Sequence, residues 1–376
     1  MAFWGFPSYI NIKEKMYSNS NKAIAYVLGT KAMFIKTQHI IKYLKEENIE
    51  VLILDTGQHK EITRKEIEKL EGNYQIINIT KSDANISSIY GMIKWFFGFI
   101  VSPKKNELFD DIKYCIIHGD TISTLMGLIY AKKNNLKIIH VEAGYKSNSY
   151  LRPFPEEIFR SLVSRYADIL VVDGEKQQSN VEKYKSKKEI IRISRNTVID
   201  ALVSEIQHIE KKEVNQLTIT IHRTENIYNK KNFDSLIQLI NNILKEKTYD
   251  SIKWFCHDVT ASALRKRNIE KSLEISGVQL LPLLPYGDFI NEIYNSRAII
   301  TDGGSIAEEC SILGIKTLVW RDVIEQENII GENLKLSNYD IKESLEFLTS
   351  EKINQKLKKE FSKPSKELVD SLLKII

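Results

Sequence analysis

The 376 residues are too many for one small core and predict two domains of ordinary size. With 43% hydrophobic and 27% charged residues, the composition is that of a globular chain rather than a disordered one. A net charge of +5, from 54 basic and 49 acidic residues without blocks of one sign, suits a small anionic ligand. With no arginine-rich tract and no RNP-like aromatic motif, no nucleic-acid partner is expected.

In chain order, residues 1–21 read as an extension. They lack a basic stretch followed by a long apolar one, so no signal peptide is expected. The first strand pattern is KAIAYVLG (22–29), followed by the helical AMFIKTQHIIKYLKEEN. The turn between them, GTKAMFIK, is where a dinucleotide fold would carry GxGxxG. Only Gly29 is present, so neither NAD nor FAD is expected. Lys31 and Lys36 follow it, either toward a ligand or on a solvated helix face. EVLILDTG (50–57) and YQIINI (74–79) are the next strands. The most apolar stretch, 86–102, carries Lys94 near its centre. It falls short of the roughly 20 residues a membrane span needs, and it reads as a buried or partner-facing helix.

IKYCIIHG (112–119) is the fourth strand. It delivers His118, Gly119 and Asp120 to its carboxyl end, ahead of the helical TISTLMGLIYAKKNN. Asp120 or Thr121 would serve as an ordinary N-cap, but capping does not call for the whole trio. LKIIHVEA (136–143) places Glu142 at another strand end, where no capping role accounts for it. Then comes PFPEEIFR. Pro155 suits a first helical position, Glu156 and Glu157 suit the positive helix start, and Glu156 with Arg160 is an i,i+4 pair. ADILVVD (167–173) closes the first series.

The pattern restarts after about residue 195 with LTITI (217–221), IKWFCH (252–257), VQLLPLL (278–284), AIITDG (298–303) and KTLVW (316–320). Strands alternating with helices mean βαβ units. The expected fold class is α/β, with two Rossmann-like doubly wound domains facing across a cleft and the ligand beyond the strands' carboxyl ends. The boundary is expected near 190–200, giving 22–195 and 196–361. In the second domain His222 and Arg223 leave a strand end together and suit an anion. Gly303 and Gly304 turn into a helix, and Ser305 with Glu308 reads as a capping box. Such a helix start offers N–H groups to a phosphate, and Glu309, one turn in, suits a ribose hydroxyl.

Cys115, Cys256 and Cys310 are far apart, with no CxxC. Neither a disulfide framework nor a cysteine zinc site is expected, and a reducing cytoplasm is the default. The seven histidines form no HxxxH pair, so no metal is expected. No GxSxG elbow is present.

HGDT (118–121), HVEAG (140–144), PFPEEIFR (153–160), NTVIDAL (196–202), His222-Arg223-x-Glu225-Asn226 and TDGGSIAEE, taken in that order, resemble the UDP-N-acetylglucosamine 2-epimerase family. The likeness runs from about residue 24 to 338. It implies a glycosyltransferase-B type fold in which the final helix, here 362–376, returns to the first domain. It implies a UDP-sugar substrate, a homodimer, a cytoplasmic setting and no cofactor. The implied reaction is elimination: a base takes the C2 proton of a 2-acetamido sugar as UDP leaves C1. UDP then adds back to the 2-acetamidoglycal, and C2 is reprotonated from the other face. By family position Asp120, Glu142 and Glu156 are the acid/base candidates and Arg160 supports them. His222 matches the histidine at the diphosphate. Lys31, Gly303, Gly304, Ser305 and Glu309 match UDP-binding positions, and Lys36 matches a lysine near the cleft. Gln58, His59 and His257 match parts of a regulatory UDP-sugar site.

The chain departs from the family pattern at several points. GTKAM stands where GTRPE is common, so Lys31 brings a point charge in place of a forked guanidinium. DGGS replaces DSGG, RDVIEQEN replaces RDTTERPE at Gln326 and Glu327, and Arg195 replaces a glycine. These changes suggest a divergent branch acting on a modified sugar nucleotide. The rival readings are a hydrolysing epimerase that releases UDP and free sugar, a glycosyltransferase on the same fold, and a UDP-sugar binder without catalysis.

Overall fold

Strand β1 (Ala23–Leu28) shows how the first sheet is held. Ala25 and Val27 enter one apolar cluster, while Ile24, Tyr26 and Leu28 enter another. Alternate side chains of a strand point to opposite faces, so a run apolar at every position marks a strand buried on both sides. The computed structural model describes residues 22–58, 67–68, 70, 74–80, 99, 112–146, 156–212, 214–324, 329–351 and 361–376. The expectations for residues 1–21, His59, Gln326 and Glu327 lie outside these. So do those for segment 86–102, apart from the buried Phe99, and for the side chain of Glu156.

The described residues up to Ala201, with Ser362–Ile376, form one compact unit; Leu202–Phe361 form a second. In the first, β1 leads through helix α1 (Lys31–Glu46) to β2 (Glu50–Asp55) and β3 (Gln75–Asn78). Then follow β4 (Tyr114–His118), α2 (Ile122–Lys133), β5 (Lys137–Val141), α3 (Glu156–Tyr166), β6 (Ile169–Val172), α4 (Glu175–Val181) and β7 (Glu189–Arg192). The seven strands lie in the order β3-β2-β1-β4-β5-β6-β7, and every pairing is parallel. The order reverses between β1 and β4, which is the switch point where doubly wound sheets bind ligands.

The second unit repeats the plan. It runs β8 (Val214–Thr220), α5 (Lys230–Glu246), β9 (Ser251–Cys256), α6 (Asp258–Lys266), β10 (Val278–Pro282), α7 (Tyr286–Asn295) and β11 (Ser296–Thr301). It ends with α8 (Gly304–Leu313), β12 (Lys316–Val319), β13 (Leu334–Leu336) and α9 (Ile341–Thr349). Its strand order is β10-β9-β8-β11-β12-β13, again parallel, with the reversal between β8 and β11. The last helix, α10 (Pro364–Leu372), belongs to the first unit, where Leu368, Val369 and Leu372 join the cluster of Ile40, Ile41 and Leu44. All eleven strands expected from the sequence are present, and β7 and β13 are additional. Among the described residues no helix is long and apolar enough to cross a membrane.

Candidate active site

Each unit gathers its polar groups at its own switch point. In the first, two threonines close the turns beyond the central strands. Thr30 caps α1, its Oγ1 accepting from the Met33 amide at 3.2 Å. Thr121 caps α2 in the same way through the Thr124 amide. Thr121 therefore takes the capping role, and Asp120 is left for other partners.

Glu142 is the residue immediately after β5, and its φ is +65°. A non-glycine residue rarely adopts this left-handed conformation, which costs on the order of 1–3 kcal/mol when tertiary structure imposes it. Gly144, two residues on, has φ +85°, and a Cβ there would lie 2.2 Å from the Gln177 carbonyl oxygen. The turn is thus bent twice, and it aims the Glu142 carboxylate back across the strand ends. Oε1 accepts from Lys36 Nζ at 2.5 Å and from Asn196 Nδ2. Oε2 lies 3.5 Å from Nε2 of the buried His118. Burial alone would lift this carboxyl's pKa, but the Lys36 ammonium and His118 outweigh it and hold Glu142 well below the usual carboxylate range.

Arg160, on the first turns of α3, donates through Nη2 to Asp120 Oδ2 and through Nη1 to Glu157 Oε2 at 2.9 Å. Glu157, assigned from sequence only to the helix start, is buried and forms part of this ion-pair group. His140, on β5, is fully buried. Its Nε2 lies 2.9 Å from the Gly119 carbonyl and its Nδ1 lies 3.2 Å from the Ser164 hydroxyl. It joins the Asp120 turn to α3 and is held neutral, burial having pushed its pKa down to about 4. Gln58, just past β2, accepts from Ser123 Oγ at 2.6 Å.

In the second unit the organiser is Asp302, fully buried after β11. It accepts from the backbone amides of His222 and Arg223 and from Asn226 Nδ2, and His222 Nδ1 lies 3.2 Å from Oδ1. Burial would raise this carboxyl, and these donors together hold it low. His222 keeps its side chain about one third exposed, so a ligand can reach it. Its ring lies 4.6 Å from that of His257, the N-cap of α6, whose pKa burial and the neighbouring His222 push down to about 4. His257 thus stands beside His222 in the same cluster.

The capping box expected at Ser305 and Glu308 is corrected. The N-cap of α8 is Gly303, with no side-chain cap, and Gly304 and Ser305 are the first two helical residues. The two glycines let the helix start earlier than the S-x-x-E pattern suggests, so its free N–H groups are those of Gly304, Ser305 and Ile306. A Cβ on Gly303 would lie 3.4 Å from His222 Cε1, so the turn passes close under the imidazole. Glu309 is buried deeper in α8 and accepts from the Tyr286 hydroxyl at 2.7 Å. Lys31 opens α1 as its first residue.

The structure therefore pairs Lys36 with Glu142 and Asp120 with Arg160 at neighbouring strand ends of the first sheet. It joins His222, Arg223 and Gly303, with His257, in the second unit. Sequence reasoning marked His118 with its strand end but gave it no role, and did not assign Asn196, Asp302 or Glu157 to the site, although all lie within the motifs HGDT, PFPEEIFR, NTVIDAL and TDGG. Among the described residues no cluster of three or more histidine, cysteine, aspartate or glutamate side chains is arranged to hold a metal.

This arrangement, two parallel doubly wound sheets with carboxylates beyond one and a histidine beside a glycine-led helix beyond the other, is that of an α/β protein built from two Rossmann-like units. A sequence profile described as UDP-N-acetylglucosamine 2-epimerase matches residues 42–365, and the chain belongs to that family of isomerases. It is 27% identical to the UDP-N-acetylglucosamine 2-epimerase of Salmonella borreze, over 82% of this chain and 83% of that one. It is 26% identical to the Methanocaldococcus jannaschii enzyme of that name, over 86% and 90% respectively. The fold matches the crystal structure of the M. jannaschii UDP-GlcNAc 2-epimerase in complex with UDP-GlcNAc and UDP, with TM-score 0.77 at 24% identity. That match covers 94% of this chain and 99% of the other. The Neisseria meningitidis UDP-GlcNAc 2-epimerase bound to UDP-GlcNAc matches with TM-score 0.73 at 22% identity, over 94% and 100%.

Proposed function

We propose that the protein interconverts a UDP-2-acetamido sugar, UDP-GlcNAc or a modified analogue, and its C2 epimer. The observation that carries this reading is Glu142, a strand-end carboxylate on a left-handed backbone, held ionised by Lys36, Asn196 and His118. A C2 proton beside an acetamido group is not acidic, and its removal needs a base that is fixed in direction and charged at neutral pH. Glu142, Asp120 and Glu156 are the acid/base set, and Arg160 directs Asp120. His222 and Arg223 neutralise the departing diphosphate. The N-terminus of α8 at Gly303, Gly304 and Ser305, with Glu309, holds UDP, since a helix start favours an anion. UDP stays bound and adds back, so the product is a UDP-sugar fit for polysaccharide precursor synthesis, made by a cytoplasmic homodimer. This reading is supported by the names of the relatives and by the chemistry of the two side-chain groups.

The test is incubation with UDP-GlcNAc in D₂O, followed by NMR. Deuterium at C2 of a UDP-sugar is the expected result, and Glu142→Gln and His222→Ala are each expected to abolish it with the fold unchanged. Accumulation of UDP and free sugar would instead establish the hydrolysing reaction. No exchange with any UDP-2-acetamido sugar would reject both.

A further inference from the structure

Tyr145 is buried and Asp173 half-buried, and the chemistry above gives neither a role. Tyr145 follows HVEAG at the end of the bent turn and is 8% exposed. Its hydroxyl donates to Asp173 Oδ2 at 2.5 Å. Asp173 is the first residue after β6, so this bond ties the turn that carries Glu142 to the next strand end. The tyrosine ring backs Arg160, whose Cζ lies 5.9 Å from the ring centroid. The guanidinium is therefore bounded by Asp120, by Glu157 and by an aromatic face.

Asp173 is a costly way to anchor a ring. Its Oδ1 is buried and has no hydrogen-bond partner among the described residues. Burial raises its carboxyl pKa to about 6; the Tyr145 hydroxyl pulls it down and the Glu142 charge pushes it up. A well-packed apolar pair in the same place would be at least as stable. What the polar pair adds is direction: a tyrosine tethered at its hydroxyl cannot swing away from the guanidinium it supports.

We propose that Tyr145, tethered by Asp173, is a positioning residue that holds Arg160 in the orientation in which it presents Asp120 to the substrate. For its kinetic consequences the inference rests on the epimerase reading. Tyr145→Leu removes the ring, Tyr145→Phe removes only the tether, and Asp173→Asn leaves an acceptor oxygen for the hydroxyl. The measurements are kcat and KM for UDP-GlcNAc epimerisation and crystal structures of the unliganded variants.

Misdirected catalytic groups lose rate rather than binding, so Tyr145→Leu is expected to lower kcat about 10–100-fold with KM within about twofold. In its crystals Arg160 is expected to turn away from Asp120. Tyr145→Phe is expected to lose about threefold in kcat, the size of a weakened cation–π contact, and Asp173→Asn is expected to stay within that range. Wild-type kcat in both tyrosine variants, or an Arg160–Asp120 pair left in place in Tyr145→Leu, would overturn the proposal. If Tyr145→Leu does not fold, Tyr145→Phe decides by the same readings. If the wild-type protein shows no exchange, the epimerase reading fails separately, and the position of Arg160 in the variant crystals still decides this one.

Discussion

His140 has no contact with water, and both ring nitrogens are engaged, one at the Gly119 carbonyl and one at the Ser164 hydroxyl. Its pKa in the folded protein is about 4, against an ordinary 6.5. The unfolded chain therefore takes up a proton before the folded one does. The contribution of the neutral ring is fully present above pH 6.5 and is lost as pH falls through about 4. A gap of this size removes about 3 kcal/mol over that window. Hydrogen exchange of the β5 amides, corrected for intrinsic rate, should show protection falling between pH 6.5 and 4. His140→Gln should start lower at pH 7 and change less over the same range; an equal slope in both proteins would contradict the assignment. At this scale the sequence reveals chemistry but not partnership. Glu142 stands out because nothing local explains a carboxylate at a buried strand's end. Lys36 and Asn196, its two donors, lie 106 and 54 residues away in sequence, and only the sheet brings them to one oxygen. Ser305 misleads for the opposite reason. Its local pattern is a sound cap, but the glycines before it let the helix begin two residues sooner.

The turn from β1 to α1 shows what an element boundary demands. A Cβ on Gly29 would lie 2.1 Å from Ser123 Oγ and 2.3 Å from Thr56 Oγ1, two hydroxyls that bond to each other at 2.8 Å. Glycine is therefore required here by the close approach of β2's end and α2's first turn, not by a nucleotide fingerprint. Gly29→Ala must push Ser123, and with it the start of α2 behind Asp120. We expect a loss of about 1–3 kcal/mol, the usual cost of forcing a methyl into a packed site, together with weaker C2 exchange. Thermal melting and the deuterium assay check the two effects; a variant unchanged in both would show that the turn has slack. The same packing explains which elements were legible. Central strands buried on both faces read as unbroken apolar runs, and the edge strands β3 and β10 were still marked by the short runs YQIINI and VQLLPLL. The strands β7, charged at both ends, and β13, with a lysine at its centre, are only four and three residues long and close their sheets from the outside. A run that short and broken by charge carries no period to read.

Across the whole molecule, the first unit is completed by residues that follow the second in sequence. Helix α10 places Leu368, Val369 and Leu372, all fully buried, against Ile40, Ile41 and Leu44 of α1. The residues after α10 are tied down as well: Tyr114 Oη donates to the Ile375 carbonyl at 3.0 Å, and Lys22 Nζ donates to that of Ile376 at 2.9 Å. The first turn of α10 is pinned where the Ser365 amide donates to Asp200, and Glu367 accepts from Ser194. Burying three such side chains contributes about 1.5–3 kcal/mol each. Their sum, about 5–9 kcal/mol, is comparable to the whole stability of an ordinary domain. Deleting residues 364–376 should therefore unfold the first unit selectively, because none of those contacts involves residues 202–361. Hydrogen exchange is expected to show β8–β12 still protected and β1–β5 fully exchanged. Retained protection in β1 and β2 would mean that the two faces of the first sheet suffice without the helix. The expected result also orders folding in time. The seven-stranded sheet cannot be sealed until the second unit has been synthesised, so the first unit should gain full protection only after the last helix docks.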